Sequence, residues 1–82
     1  MPTGQIALVR EQNVEFAVVC VKDSVIDSHH ERENVWRYWT SQLGRPTALL
    51  GAQRHGSYGR KDIVGWLESI DPSRLPWRNL NS

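Results

Sequence analysis

The segment spanning residues 53–61, QRHGSYGRK, concentrates side chains that could bind an anion. Its cations and hydrogen-bonding groups, with no acid among them, are Arg54, Arg60, Lys61, His55, Ser57 and Tyr58. Two glycines free the backbone to turn, and a helix that follows such a loop presents unpaired N–H groups and a positive dipole end. Guanidinium groups in that setting bind phosphate or carboxylate. The pattern predicts either an anion- or nucleic-acid-binding loop or an ordinary solvated turn that leads into a helix.

This loop lacks the spacing of the known phosphate-binding and nucleophile motifs. It matches neither G-x-x-x-x-G-K-[ST] nor G-x-G-x-x-G, and its GSYG stretch is not the G-x-S-x-G nucleophile elbow. A catalytic interpretation would have to combine His55, Ser57 and the single cysteine, Cys20. Because Cys20 lies in the apolar run FAVVCV, its environment is more typical of packing than of nucleophilic chemistry. We therefore assign no catalytic residue and favour a non-enzymatic role, with a small enzyme that uses these three residues as a second alternative.

The adjacent histidines His29 and His30 are the remaining candidate for metal binding. His29 and Glu33 stand at i and i+4, so both could face one ion on a helix. Neighbouring histidines point in different directions, however, and no third histidine or cysteine stands at ligand spacing. We predict no metal and no cofactor.

Aromatic residues provide the main argument for association with a protein. Tryptophan occurs 4 times in 82 residues, and one copy lies in the C-terminal segment with two leucines, so the candidate interface is Leu75, Trp77 and Leu80. Tryptophan dominates the energetics of many interfaces, and a chain this short has a marginal core that association would stabilise. The predicted function is protein–protein association, including self-association as a dimer. The alternative is a nucleic-acid or phosphate-binding module that uses residues 53–61.

Hydrophobic patterns predict the first half of the fold that positions these residues. Gln5 to Val9 alternates as a strand, and Phe16 to Val21 is a continuous β-branched run typical of a strand buried on both faces. Ser28 followed by Glu31 forms a capping box, and the helix that it opens is expected to end at Gly44.

The second half of the chain predicts a crossover and a closing helix. A strand from Thr47 to Ala52 that is joined to the central strand through one helix should pair with it in parallel. A short antiparallel strand is expected near Ser57-Tyr58, and a helix from about Arg60 to Ile70. Gly65 within that helix is expected to permit close approach to the sheet.

These elements define an α+β fold, a small mixed β-sheet with two helices in the order ββαβ(β)α. Residues 1–72 are predicted to form a single domain. Residues 73–82 are predicted to be a C-terminal tail that packs on the domain or on a partner.

The stretch from Pro46 to Ile70 resembles the closing third of a thioredoxin or glutaredoxin domain, where a proline precedes a strand, a hairpin and a final helix. The resemblance implies a shared strand–strand–helix closing unit. Redox activity in that family rests on a C-x-x-C or C-x-x-S motif at the start of its first helix. This chain has the residues DSHH there, from Asp27 to His30, so the resemblance does not imply thiol–disulfide chemistry.

Composition describes an ordinary folded domain with 39% hydrophobic and 23% charged residues, and the net charge of +1 excludes a general polyelectrolyte binder. No run approaches the roughly 20 apolar residues that a membrane span needs, and the first residues lack the pattern of a signal peptide. A single cysteine fits a reducing compartment. We therefore expect a cytoplasmic domain of bacterial type with no membrane association.

Overall fold

A computed structural model describes residues 4–11 and 13–79. The elements in chain order are β1 (Gln5–Glu11), β2 (Val14–Val21), α1 (Asp23–Asp27), α2 (His29–Leu43), β3 (Thr47–Gly51), β4 (Ser57–Tyr58), α3 (Lys61–Glu68), a 3-10 turn (Pro72–Arg74) and β5 (Trp77–Asn79). The strands form one mixed sheet in the order β4-β3-β2-β1-β5. The predicted α+β class and the order ββαβ(β)α are confirmed, with α1 and β5 as additions. No helix in the described ranges is long and apolar enough to cross a membrane.

Strand β2 is the centre of the sheet. It pairs antiparallel with β1 and parallel with β3, as a crossover through α2 requires. Its residues from Phe16 to Val21 are buried, which confirms the interpretation of the apolar run. The β1–β2 ladder continues to the pair Glu11 and Val14, whereas pairing with β3 begins at Ala17. The tip of the β1–β2 hairpin therefore extends beyond the start of β3.

Side chains that alternate across the sheet form two apolar clusters, one on each face. The face covered by α3, called here the α3 face, contains Ala7, Phe16, Val18, Ala48, Leu50, Ile63, Leu67 and Leu75. The opposite face, the α2 face, contains Ile6, Ala17, Val19, Val21 and Leu49, against which the apolar stripe of α2 packs. The sheet is thus covered by a helix on each side.

Local signals in the sequence set the ends of α2. The Ser28 hydroxyl accepts a hydrogen bond from the Glu31 N–H at 3.2 Å, and Gly44 ends the helix with φ of 63°. The indole N–H of Trp36 donates to the Thr47 carbonyl at 2.7 Å. This bond fixes α2 to the first residue of β3.

The C-terminal segment adds β5 to the edge of the sheet, where it pairs antiparallel with β1. Leu75 is buried in the α3-face cluster. Trp77 is half-buried, packs on the same cluster and donates its indole N–H to the Pro72 carbonyl at 2.8 Å. These two candidate interface residues therefore contact their own domain, while the third, Leu80, lies outside the described residues.

The glycine that permits a close approach is Gly59 and not Gly65. Gly65 is exposed, and a Cβ placed on it would meet no atom within 4 Å, so the predicted role of this residue is wrong. Gly59 has φ of 151°, and a Cβ there would lie 3.0 Å from the Thr47 carbonyl oxygen. The contact occurs where the chain leaves β4 and passes β3.

Candidate functional site

Both arginines of the loop at residues 53–61 are paired with acids that lie outside the loop. Arg54 forms an ion pair with Asp27, and its Nε lies 3.8 Å from the carboxylate of Asp23. Arg60 donates from Nε and Nη2 to the Asp62 carboxylate at 2.8 and 2.6 Å. In the described part of the chain, Lys61 is the loop cation without an acidic partner. An anion would have to compete with these carboxylates for either arginine.

Asp23 also holds the backbone of this loop. Its Oδ1 accepts hydrogen bonds from the N–H groups of Gln53 and Arg54, both at 3.3 Å. The side chain is 18% exposed, so the bonds are partly shielded from water. The loop is therefore free of acids in sequence but not in space, because α1 places Asp23 beside it.

Tyr58 packs on the domain instead of presenting a free ring. It lies edge-on to Trp36 with ring centroids 6.0 Å apart, and the Arg32 guanidinium sits 4.9 Å from its centroid. Ser57 is half-buried next to it in β4, and His55 is exposed with φ of 59°. The arrangement uses Tyr58 to close the edge of the α2 face.

Two residues of the enzyme alternative, Cys20 and Ser57, lie too far apart to act together. Cys20 is 1% exposed, and burial raises the pKa of its thiol. It occupies the same row of the sheet as Leu50 and Ser57, two strands away from the serine. Two strand spacings amount to about 9–10 Å, which is beyond hydrogen-bond reach. The pair therefore lacks the geometry of a nucleophile with its partner.

Both histidines of α2 are engaged by neighbours on the helix surface. Nη2 of Arg32 lies 2.8 Å from Nδ1 of His29, and Nδ2 of Asn34 lies 3.2 Å from Nε2 of His30. Within residues 4–11 and 13–79, no three His, Cys, Asp or Glu side chains converge as metal ligands do.

A cleft of about 250 Å³ opens on the α3 face between the tip of the β1–β2 hairpin and α3. It is lined by Glu11, Val14, Phe16, Asp62, Ile63 and Trp66. The cleft exists because the hairpin extends beyond β3, so that α3 meets its tip without a third strand beneath it. Sequence patterns do not reveal this site, because Phe16 falls in the predicted buried strand and Ile63 and Trp66 fall in the predicted closing helix.

Two aromatic rings form one wall of the cleft. Phe16 is 2% exposed and meets the half-buried Trp66 edge to face, with centroids 5.4 Å apart. The indole N–H groups of Trp36 and Trp77 donate to backbone carbonyls, but that of Trp66 has no hydrogen-bond partner among the described residues. Trp66 therefore lines the cleft and carries an indole N–H that no described residue occupies.

Carboxylates stand at the rim of the cleft. The hydrogen bond from Arg60 lowers the pKa of Asp62 below its ordinary value, so this carboxylate is ionised at neutral pH. The Glu11 side chain is exposed, and its carboxylate makes no hydrogen bond or ion pair with the described part of the chain. The cleft thus combines an apolar wall, a negative rim and one unused N–H donor.

Comparison with known proteins adds no relative: no family model matches the chain, and neither the curated proteins nor the solved structures contain a significant match.

Proposed function

We propose that this chain is a non-catalytic protein-binding module whose receptor site is the α3-face cleft. The observation that carries the proposal is an open apolar cleft walled by Phe16 and the half-exposed Trp66. Its volume of about 250 Å³ lies below the range of roughly 300–1,000 Å³ usual for small-molecule sites. It suits one anchoring side chain of a partner, and such pockets with tryptophan walls are where binding energy concentrates.

The chemistry of the lining supports binding over catalysis. The titratable groups that line the cleft are the carboxylates of Glu11 and Asp62. Asp62 is held ionised by Arg60, so it is a poor proton donor, and the described residues place no serine, threonine, cysteine, histidine or lysine in the lining. A general acid or base requires a pKa near the working pH, which Asp62 does not have.

Selection of peptides on the purified protein tests this proposal. A random 12-residue display library is panned against the wild-type chain, and the affinities of selected peptides are measured by calorimetry. Val14→Arg places a long side chain across the cleft from a half-buried position and should weaken binding at least tenfold. Tyr38→Ala, which removes a 56% exposed ring on α2, is the matched control and should bind normally.

The opposite result would end the proposal. Peptides that bind Val14→Arg as well as the wild type would show that the cleft is not the receptor site. Analytical ultracentrifugation of the same proteins measures their oligomeric state and so tests for self-association. A wild-type dimer that Val14→Arg dissociates would identify the partner as a second copy of the chain.

Anion or nucleic-acid binding through residues 53–61 ranks second. Lys61 favours it, because this exposed cation begins α3 and has no acidic partner among the described residues. Arg54 and Arg60 would have to leave their carboxylates to contact a phosphate. The test is an NMR titration with single-stranded DNA at low salt. Saturable shifts at residues 56–61 that the double variant Arg54→Ala, Arg60→Ala abolishes would promote this function.

A cytoplasmic site of action, in a bacterial cell, is the setting that we propose for this module. Its support is the free thiol of Cys20, which a reducing compartment would keep unpaired.

A further inference from the structure

The charges around the α3-face cleft restrict the partner that it can accept. Both of its charged lining residues are acids, and among the described residues Arg60 is the cation bonded to either of them. Glu11 contributes a negative charge that no described cation compensates. A phosphate or an acidic side chain would be repelled from this rim. A purely apolar occupant would desolvate Glu11 without giving it a partner, which costs free energy.

The aromatic wall of the cleft also favours a positively charged ligand. The face of a tryptophan ring attracts a cation, and this attraction strengthens as water is excluded. Trp66 lines the cleft, and its N–H has no partner among the described residues, so it can also donate to a main-chain carbonyl of a bound segment. Ile63 and Val14 complete an apolar lining that aliphatic carbon fills.

Building on the proposed function, we infer that the cleft binds a peptide segment in which a lysine or arginine stands beside a large apolar residue. The apolar side chain occupies the space between Val14, Phe16 and Trp66. The cation pairs with Glu11 at the rim, and the Trp66 N–H bonds to the peptide backbone. The cleft holds one such anchor, because its volume of about 250 Å³ matches a single side chain and not a longer apolar stretch.

The chain offers a matched pair of substitutions on adjacent strands of one hairpin. Glu11→Gln removes the rim charge with little change in shape. Glu15→Gln removes a carboxylate from the position opposite Arg10 in the hairpin register, and the strand alternation places it on the opposite face of the sheet. Both sites are exposed, so neither substitution should unfold the protein, and amide NMR spectra of the variants confirm the fold.

The experiment uses peptides selected on the wild-type protein from the random library. We expect enrichment of lysine or arginine next to leucine, isoleucine or an aromatic residue. At low salt, Glu11→Gln should bind these peptides roughly two- to fivefold more weakly, the range expected for a partly exposed ion pair. Glu15→Gln should leave the affinity unchanged. Raising salt to about 0.5 M should remove most of the difference between wild type and Glu11→Gln.

The outcomes separate this inference from the function on which it rests. Loss of affinity for Val14→Arg identifies the selected peptides that need the cleft. If such peptides lack basic residues, or bind Glu11→Gln as well as the wild type, the basic-peptide inference is wrong and protein binding still stands. If the selected peptides bind Val14→Arg as tightly as the wild type, both the basic-peptide inference and the proposed function are wrong. If Glu11→Gln and Glu15→Gln lower the affinity for basic peptides equally, the effect is one of general charge. That result also overturns the inference.

Discussion

Replacing Gly65 by alanine should stabilise the protein, although this glycine lies in the middle of α3, beside the cleft. The substitution adds one methyl group at an exposed helical position where a Cβ meets no atom within 4 Å. Glycine in a helix interior is less favourable than alanine by roughly 0.5–1 kcal/mol, because it loses more backbone freedom on folding. The structure provides no clash that would offset this gain.

The expected size of the effect is therefore about 0.5–1 kcal/mol in the free energy of unfolding. For a domain of 60–100 residues, about 1 kcal/mol corresponds to a rise in Tm of roughly 4–8 °C. Urea titration and thermal melting, both followed by far-ultraviolet circular dichroism, would measure it on the wild type and on Gly65→Ala. Peptide binding should not change, because Gly65 is not among the residues that line the cleft.

A neutral or destabilising result would refute this reasoning. It would mean that Gly65 approaches another part of the chain, as the sequence had suggested, or that α3 is shorter than Lys61–Glu68. Unaltered stability with altered peptide affinity would also contradict the structure, because it would place Gly65 in the binding surface.

The remaining predictions concern the loop and its supports. Gly59→Ala should destabilise the protein by about 1–3 kcal/mol in urea unfolding. The reason is that φ of 151° is strained for alanine and that the new Cβ would lie 3.0 Å from a carbonyl oxygen. An unchanged free energy of unfolding would contradict this close approach. Asp23→Ala should lower the free energy of unfolding by about 1–3 kcal/mol, since two loop N–H groups lose their acceptor. Amide hydrogen exchange at residues 53 and 54 should become faster. Unchanged exchange rates there would contradict the support that Asp23 gives to the loop. The pKa of Asp62 is lowered in the folded state, chiefly by the hydrogen bond from Arg60, so the unfolded chain binds more protons in the acid range. This group's contribution is present above the unfolded pKa of about 3.9 and is lost as pH falls through the lower folded pKa. The wild type should therefore lose more stability than Asp62→Asn as the pH falls through that range, and parallel pH profiles would contradict the assignment.

Elements whose residues depend on near neighbours could be predicted well. The ends of α2 follow from Ser28 and Gly44, because capping and left-handed termination involve residues within one turn. The burial of β2 follows from its apolar run, and the parallel pairing of β3 follows from the helical crossover. The short strand at Ser57-Tyr58 is likewise confirmed.

Contacts between distant residues could not be predicted in this way. The loop at residues 53–61 contains no acid, yet Arg54 meets Asp27 and Asp23 because the crossover places α1 next to the end of β3. The pairing of β5 with β1 joins the two ends of the described chain. Periodicity also could not distinguish Gly65 from Gly59, since steric room depends on neighbouring elements and not on position within a helix.

Local sequence patterns are enough to predict the types of the main elements, their order and the sheet centre, since these depend on backbone propensity and on apolar periodicity. Which charged and aromatic groups remain available for a partner depends on tertiary contacts. The register that carries the hairpin tip past β3 opens the cleft beside Trp66. Ion pairs occupy both arginines of the cationic loop, one with the distant Asp27 and one with the nearby Asp62. Whether a side chain is free to bind a partner depends on its contacts with residues that are distant in sequence. The pattern within one segment does not reveal those contacts.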